Sequence, residues 1–353
     1  MNWSPFDPEV MTDPARGHQY LLNECPVHHC DIFEPPFYTL SRYADVEYAL
    51  RDIETFSSHF GQGPRFTEPA GMLCDPPQHT QYRKLIQQAF TPKAVAELRP
   101  LVVPLANRLV DDILAGEREF DLHDDLAFPL PVIIIAGMLG VPSEDLEDFK
   151  RWSDMQVELM GSEDPSQYVD EQTRFQAYMH AHMMNRRSLI ESGAEVPEDL
   201  LTLVAGAKTD TGEYIPDGDA LSMLNQLLVG GNETTTSLIT NMIWRLLEVP
   251  SRWQEILDDE SLIGAAVEES LRFDPPVLGL YRNTTRNVEL HGQVIPEGSK
   301  VYINYAAANR DAGIFEKPDE FSLHRESKRH MAFGLGVHFC IGAPTARLEA
   351  EVA

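Results

Sequence analysis

The sequence predicts a mainly α-helical protein with small β-sheets, and three observations support this fold class. Apolar residues recur with helical spacing through most of residues 78–273. Short runs rich in β-branched and aromatic residues, separated by turn signals, follow in residues 277–304. Neither an internal repeat nor a low-complexity linker interrupts the 353 residues. We therefore expect a single domain over 1–353.

The individual elements follow in chain order. Before residue 78 we expect a short helix at His18–Asn23, a strand at Phe37–Leu40, a helix at Asp45–Asp52 and a loop over 57–77. The later predicted helices cover 78–89, 93–115, 126–138, 143–160, 165–192, 217–249 and 262–273. The later predicted strands cover 277–284, 287–290, 293–295 and 300–304, and a last helix begins near Ala343.

Composition and charge exclude several classes of protein. The formal net charge is -28, which argues against general nucleic-acid binding and against docking on an anionic membrane through net charge. The N-terminal segment has no basic stretch followed by an apolar run, so we expect no signal peptide. The most apolar stretch, Leu130–Val141, is too short to span a bilayer. We therefore expect a cytoplasmic protein.

Two of the four cysteines lie in a segment that could bind a metal. Cys25-Pro-Val-His28-His29-Cys30 offers four possible zinc ligands within six residues. The tight spacing makes tetrahedral binding by all four difficult, and no second Cys/His pair lies nearby in sequence. We interpret the segment as the lead into the first strand, with zinc binding as the alternative. Cys74 is given no chemical role.

The most informative stretch is FGLGVHFCIG, residues 333–342. Gly334 and Gly336 allow tight turns, and Cys340 precedes an expected helix start, where a thiolate is stabilised by the helix dipole. A cysteine there suits a metal ligand or a nucleophile, whereas an isolated cysteine is more often a buried structural residue. The pattern Phe-Gly-x-Gly-x-His-x-Cys-x-Gly resembles the haem-binding loop of the cytochrome P450 family, the haem-thiolate monooxygenases.

The resemblance implies the cofactor and its ligands. It implies haem b (iron protoporphyrin IX), with Cys340 as the axial ligand of the iron and Phe333 and Gly342 as further residues of the cofactor-binding loop. It also implies that four side chains bind the haem propionates. These are His79 and Arg83 in DPPQHTQYR, Arg282 in LYRNTT, and His338.

Glu269-Ser-Leu-Arg272 is a second motif of the family. At i, i+3 on a helix the two side chains lie on one face and can pair. An ordinary exposed ion pair would give the same pattern, but the resemblance implies a structural pair that braces the region behind the haem. A third group usually joins this pair. Glu320 stands at the position where the family commonly has an arginine, and Arg325 is a possible replacement.

The long helix contains LLVGGNETTTSLI, residues 227–239, although each mid-helix glycine costs roughly 1 kcal/mol relative to alanine. Leu227, Gly230, Gly231 and Thr234 form one stripe, and the Thr234 hydroxyl can bond the Gly230 carbonyl and open the turn. The resemblance implies that both glycines leave room beside the haem, and that Glu233 and Thr234 deliver protons to iron-bound dioxygen. The alternative is a helix whose glycines allow close packing against another helix.

The implied function is insertion of one oxygen atom of dioxygen into a hydrophobic small molecule, a hydroxylation-type reaction of a soluble bacterial enzyme. The expected pocket comes from the loop over 57–74, the long helix and the segment after Pro276. It favours a terpenoid, steroid, fatty acid or aromatic substrate without choosing among them. The candidate lining residues are Phe66, Met72, Leu227, Val277, Leu278 and Leu280.

The expected partner is an electron donor. The chain carries no flavin or ferredoxin module, so we expect a separate 2Fe-2S ferredoxin with its NAD(P)H-dependent reductase. Arg325, Lys328 and Arg329 form either a docking patch for it or a solvated charge run. Two other classes remain open: a peroxide-driven haem-thiolate peroxygenase, and a non-catalytic haem- or lipid-binding protein. The chain ends at Ala353, inside the expected last helix, so we expect that the C-terminal part of the fold is missing.

Overall fold

The computed structural model describes residues 3–116, 119–161, 164–326 and 329–353. The chain forms two compact units. The first contains residues up to Pro69, Leu73–Asp75 and Asn241–Cys340, and the second contains Ala70–Met72, Pro76–Thr240 and Ile341–Ala353.

Helices dominate the described structure. The α-helices are α1 (Pro8–Thr12), α2 (His18–Asn23), α3 (Tyr43–Arg51), α4 (Gln78–Ile86), α5 (Pro92–Ala115), α6 (Pro129–Leu139), α7 (Leu146–Gly161), α8 (Val169–Ser192), α9 (Leu200–Ala205), α10 (Asp217–Glu248), α11 (Pro250–Asp258), α12 (Ile263–Phe273), α13 (Tyr305–Ala308) and α14 (Ala343–Val352). The strands are β1 (Val27–Cys30), β2 (Phe37–Leu40), β3 (Phe56–Ser57), β4 (Gly279–Thr284), β5 (Val288–Leu290), β6 (Gln293–Ile295) and β7 (Lys300–Asn304).

The first unit is built around a five-stranded sheet in the order β1-β2-β7-β4-β3. Only β2 and β7 pair in parallel, and the remaining neighbours in this sheet are antiparallel. Since successive side chains of a strand point to opposite faces, β7 contributes to two separate cores. Val301 and Ile303 join one core together with Leu50 and Leu335, whereas Tyr302 joins the other. The first core lies on the face of the sheet that carries the segment leading to the cysteine.

The second unit is helical. Its longest element, α10, has 32 residues, of which those up to Thr240 belong to this unit. The apolar α6 is largely buried, in keeping with its sequence, PLPVIIIAGML. The last helix, α14, contacts α5. Among the described residues, no helix is both long and apolar enough to cross a membrane.

The mainly helical fold with small sheets is confirmed, and the predicted long helices and the later strands are present. The prediction omitted several short elements, because runs of nine residues or fewer are too short for a periodic pattern to distinguish them from loops. The omitted elements are α1, β1, β3, α9, α11 and α13.

The segment from Cys25 to Cys30 corrects one interpretation. It is not a lead into the first strand, since Val27–Cys30 is itself the first strand and pairs with Phe37–Leu40. His28 and His29 therefore point to opposite faces, the first buried and the second exposed. In the described part of the chain, the four possible zinc ligands do not gather around one point. The described cysteines form no disulfide.

Candidate active site

The predicted site residues fall in both units. The first unit carries Arg282, Phe333, His338 and Cys340, together with Glu269 and Arg272. The second unit carries His79, Arg83, Gly230, Gly231, Glu233, Thr234 and Gly342.

The cysteine lies at the end of a tight, internally bonded loop. The Cys340 amide donates to the Phe333 carbonyl at 2.9 Å, which closes the loop. Gly334 and Gly336 have positive φ, at 65° and 71°, a conformation that favours glycine. A Cβ on Gly336 would also meet the Leu50 carbonyl oxygen at 2.8 Å. The backbone of this loop therefore favours glycine at both positions, and its closing hydrogen bond fixes the backbone of the half-buried Cys340.

Arg282 tests whether the first unit fits an anionic cofactor. Its side chain is buried on β4, where one terminal nitrogen donates to the Tyr281 carbonyl at 3.0 Å. The Nε has no hydrogen-bond partner among the described residues, and no described carboxylate lies within ion-pair distance of the guanidinium. Burial lowers the pKa of Arg282, with Tyr305 and Asp75 opposing the shift. A buried guanidinium in this state fits a carboxylate supplied by a bound group, such as a haem propionate.

His338 lies on a short 3-10 turn, Gly336–His338, two residues before Cys340. Its Nε2 is 3.3 Å from the Ser58 hydroxyl. The Ser58 amide in turn donates to Asp75 at 2.9 Å, and the Ser57 hydroxyl donates to the same carboxylate. The start of the loop after β3 is therefore tied to the loop that carries the cysteine.

The predicted pair of Glu269 and Arg272 is present and fully buried. Two nitrogens of Arg272 donate to the two oxygens of Glu269, both at 2.8 Å. Arg325 is the third partner, since its Nε donates to the same oxygens at 3.0 and 2.9 Å. The Ser322 amide adds another donor at 2.9 Å. This buried carboxylate is thus matched by two cations and one amide.

Glu320 takes part through its backbone and not through its side chain. Its carbonyl accepts from Arg272 at 3.1 Å and from Arg325 at 2.6 Å, whereas its carboxylate lies 3.2 Å from Lys317 at the surface. The replacement suggested from the sequence, Arg325, therefore occupies the third position of the buried cluster. Only 13% of the Arg325 side chain is exposed, so it is unavailable for a surface docking patch. Lys328 lies outside the described residues.

In the second unit, the two glycines of α10 have different surroundings. Gly230 is exposed, and a Cβ placed on it would meet nothing within 4 Å. A Cβ on Gly231 would meet the Ile135 side chain of α6 at 2.7 Å. The alternative of close packing between two helices is therefore seen at Gly231, whereas the place of both glycines beside the cofactor stays a prediction. Gly230 remains the open position of the stripe.

Thr234 makes the predicted hydrogen bond to the Gly230 carbonyl, at 3.0 Å. The helix is nevertheless continuous through this turn, so the predicted opening is not seen. The hydroxyl adds a bond to a carbonyl that remains in the helical ladder and does not displace the backbone.

Glu233 is held by neutral donors. Its carboxylate accepts from the Asn232 amide nitrogen at 3.0 Å and from the Ser153 hydroxyl of α7 at 3.4 Å. Asn232 is fully buried, donates also to Ser153 at 2.8 Å, and accepts from Thr236 at 3.4 Å. Burial, with the charge of Asp154 adding to it, raises the pKa of Glu233. Sequence reasoning left Asn232 without a role, because its partner Ser153 is 79 residues away.

His79 and Arg83 lie one turn apart on α4, His79 buried and Arg83 half-buried. Gly342 is the residue that precedes the first turn of α14. His79 and Arg83 therefore lie on one face of a helix, as predicted. A helix also begins after the cysteine, as predicted.

The candidate pocket residues have unlike environments. Phe66 is 48% exposed, and its ring lies 5.0 Å from the Lys300 amine. Val277 and Leu280 pack against the first core of the sheet, and Leu278 lines a cavity of about 270 Å³ with residues of the N-terminal segment. In the second unit, Leu227 is buried, and the Met72 amide donates to Gln226.

The sequence of this chain is similar to those of known proteins. Residues 25–353 match the family model described as Cytochrome P450. The chain is 38% identical over 322 residues to the erythromycin C-12 hydroxylase of Saccharopolyspora erythraea, which covers 88% of this chain and 79% of that enzyme. It is 34% identical over 361 residues to the vitamin D(3) 25-hydroxylase of Pseudonocardia autotrophica, which covers 99% of this chain and 86% of that enzyme.

A solved structure gives the same result for the fold. Cytochrome P450 CYP109Q5 from Chondromyces apiculatus superposes with a TM-score of 0.85 at 38% sequence identity. The superposition covers 98% of this chain and 87% of that one.

Proposed function

Because this chain belongs to the cytochrome P450 family, the haem-thiolate monooxygenases, we propose that Cys340 is the axial ligand of its haem iron. The observation that carries this assignment is the loop from Phe333 to Cys340, with its two positive-φ glycines and its closing hydrogen bond. Thiolates at such turns are suited to metal ligation. The whole chain would then act as one haem-binding domain.

Four side chains would hold the propionates of haem b. Arg282 is the best supported of them, since its buried guanidinium requires an anion. His79, Arg83 and His338 would supply the other contacts, and Phe333, Gly230 and Gly342 would line the cofactor. Glu269, Arg272 and Arg325 would brace the segment before the cysteine loop from within the first unit.

The enzyme is a monooxygenase acting on a small organic molecule. Bound haem supplies the chemistry by which two electrons and two protons convert one atom of O2 to water while the other enters the substrate. This chain's own contribution is to position the substrate and to supply protons. We assign the proton supply to Glu233 and Thr234, because burial and the charge of Asp154 raise the pKa of Glu233 and so favour its proton-carrying form.

The proton assignment is tested by a matched pair of threonines on one helix. Thr234→Ala should increase the share of electrons lost as hydrogen peroxide severalfold, whereas Thr236→Ala, which faces Asn232, should not. Equal peroxide yields would remove Thr234 from the mechanism.

If turnover driven by added peroxide exceeded turnover with a ferredoxin system, the enzyme would be a peroxygenase.

We propose a hydrophobic substrate, since two similar enzymes are named as hydroxylases of erythromycin and of vitamin D(3). The candidate lining residues Leu227, Val277 and Leu280 are apolar and at least half-buried. Phe66, Met72 and Leu278 would complete the lining.

For the electron supply we propose a 2Fe-2S ferredoxin with its NAD(P)H-dependent reductase, and hence a cytoplasmic location, where this donor system operates. With Arg325 buried, the docking patch reduces to Arg329 and Lys328. Arg329 is 59% exposed and lies 3.6 Å from Glu47. Arg329→Glu should slow the first electron transfer severalfold at low salt, and Lys84→Glu in the other unit is the matched control. Equal rates in both variants would contradict docking at this segment.

The haem assignment is tested by the absorption spectrum of the reduced, carbon-monoxide-bound protein. The wild type should show the band of thiolate-ligated haem, and Cys340→Ser should lose it. Cys25→Ser, also half-buried and in no disulfide, should keep it. A thiolate band that survives Cys340→Ser would place the ligand elsewhere.

A further inference from the structure

A buried lysine without a carboxylate partner lies beneath the loop that follows β3. Lys300 is 1% exposed, and no ion pair joins it to any described acidic residue. Its amine donates to the carbonyls of Phe60 and Gly61, at 2.9 and 3.2 Å. The Phe66 ring lies 5.0 Å from the same amine. Lys300 of strand β7 thus contacts three residues of one loop, which we define as loop 58–67.

Loop 58–67 is otherwise held by few bonds. Within it, the Gly61 amide donates to Ser58 and the Thr67 amide donates to Phe60. Its one further backbone tie to the sheet runs from the Tyr281 amide to the Gln62 carbonyl, at 2.9 Å, among the described residues. Most of residues 63–68 are exposed. In the middle of the loop, the Arg65 guanidinium also lies 5.4 Å from the Phe33 ring. The two hydrogen bonds from the Lys300 amine and the one from the Tyr281 amide therefore attach the loop to the sheet, and two of the three come from Lys300.

The surroundings of Lys300 affect the protonation state of its amine. In the sheet, Phe37 of β2 and Asn283 of β4 stand opposite it in register. Burial, with repulsion by Arg282 adding to it, lowers the pKa of Lys300 to about 8. A neutral amine still has two N–H groups, enough for the two carbonyls, so the closed loop accommodates the uncharged form. The ammonium form is the one that gains from exposure to water.

We propose that loop 58–67 opens by withdrawing the Phe60 and Gly61 carbonyls from Lys300, so that opening hydrates this amine and favours its protonated form. Ser58, the first residue of the loop, is bonded to His338 of the cysteine loop. The opening would therefore admit substrate beside the proposed haem site, a role that rests on the proposed function.

The linkage has a definite sign. In the closed loop the pKa is about 8, and in the open loop it returns towards 10.5, so opening takes up a proton in this interval. Opening must then become less frequent as the pH rises, by about tenfold per unit inside the interval. A loop held by a purely ionic anchor would behave in the opposite way.

Limited proteolysis measures the opening directly. Trypsin can cut after Arg65, an exposed residue in the middle of the loop, and cleavage after Lys208 in the other unit is the internal reference. The ratio of the two cleavage rates should fall roughly twentyfold between pH 7.5 and pH 9.5 in the wild type. In Lys300→Met the ratio should not depend on pH, since no amine remains to titrate.

Lys300→Arg is the second variant, since a guanidinium stays charged throughout this range and should also abolish the pH dependence. If Lys300→Met does not fold, the pH dependence of the cleavage ratio in Lys300→Arg still tests the proposal. A wild-type ratio that is independent of pH, or a pH-dependent ratio that persists in either folded variant, would overturn the proposal.

The access role has its own readout, the haem absorption shift caused by imidazole and by the bulkier phenylimidazole. The association rate of phenylimidazole should fall with pH in step with cleavage after Arg65, and that of imidazole should fall less. Parallel behaviour of the two probes would overturn the access role. The absence of any shift with either probe would instead contradict haem binding, which the cleavage experiment does not require.

Discussion

Two carboxylates in this molecule, Glu269 in the first unit and Glu233 in the second, are removed from water in opposite ways. Glu269 is 4% exposed and accepts from both Arg272 and Arg325. Glu233 is half-buried and accepts only from the neutral donors Asn232 and Ser153 among the described residues. Glu269 is paired with two charged side chains. The neutral donors around Glu233 offset much less of the free-energy cost of burying its carboxylate.

The difference separates a structural acid from an acid that can exchange a proton. Two arginines donate to the Glu269 carboxylate, which links helix α12 to the segment before the cysteine loop. Burial and Asp154 favour the protonated form of Glu233, as its raised pKa shows. An acid in that state can deliver a proton and recover it.

The largest effect is expected from breaking the charge-paired cluster. Glu269→Gln leaves Arg272 and Arg325 buried without an anion, which should lower the free energy of unfolding by about 3–5 kcal/mol. Chemical denaturation measures the change. Glu268→Gln is the matched control, because the adjacent Glu268 is partly exposed and lies 3.2 Å from His330, outside the cluster. Equal losses in both variants would mean that the cluster is no stronger than a surface pair.

Glu349, on α14, is a third acid for this comparison, and its carboxylate is less well hydrogen-bonded than that of Glu233. It is buried, and one of its carboxylate oxygens has no hydrogen-bond partner among the described residues. Burial raises the pKa of Glu349 to about 8. Since its pKa in the unfolded chain is near 4.5, its contribution to stability is present below that pH and is lost as the pH rises through about 8.

Glu349→Gln should therefore leave stability almost unchanged at pH 5 and raise the free energy of unfolding at pH 8.5. The gain between the two pH values is on the order of 4 kcal/mol, from about 1.4 kcal/mol for each of the three pH units between pH 5 and the pKa of about 8. Denaturation curves at the two pH values measure it, with Glu351→Gln on the same helix as the control. A gain of equal size at both pH values would show that the pKa of Glu349 is not raised in the folded chain.

Local geometry explains which of these contacts could be predicted from the sequence. The pairing of Glu269 with Arg272, and the bond from Thr234 to Gly230, join residues within one helical turn, so their spacing alone predicts them. Arg325 is 56 residues from Glu269, and it could be suggested only as a replacement for the expected arginine.

Contacts made by packing could not be predicted in this way. Gly230 and Gly231 are adjacent in the sequence, and only the position of Ile135 on α6 distinguishes the open glycine from the packed one. Lys300 likewise looks like an ordinary strand residue until the loop carbonyls that it bonds are known. Motif and helix spacing thus predict the fold and the candidate ligands, whereas tertiary contacts assign the individual roles.

The smallest effect is expected where Glu233 keeps its burial but loses one donor. Asn232→Leu removes the 3.0 Å hydrogen bond that favours the ionised carboxylate, so the pKa of Glu233 should rise further, by about one unit or less. The infrared band of the protonated carboxyl, recognised by its loss in Glu233→Gln, reports the titration. Ser153→Ala is the matched control and should shift the pKa less, because its contact is longer, at 3.4 Å. If neither variant moved the titration, burial alone would set the pKa of Glu233, and the contrast with Glu269 would be one of charge pairing only.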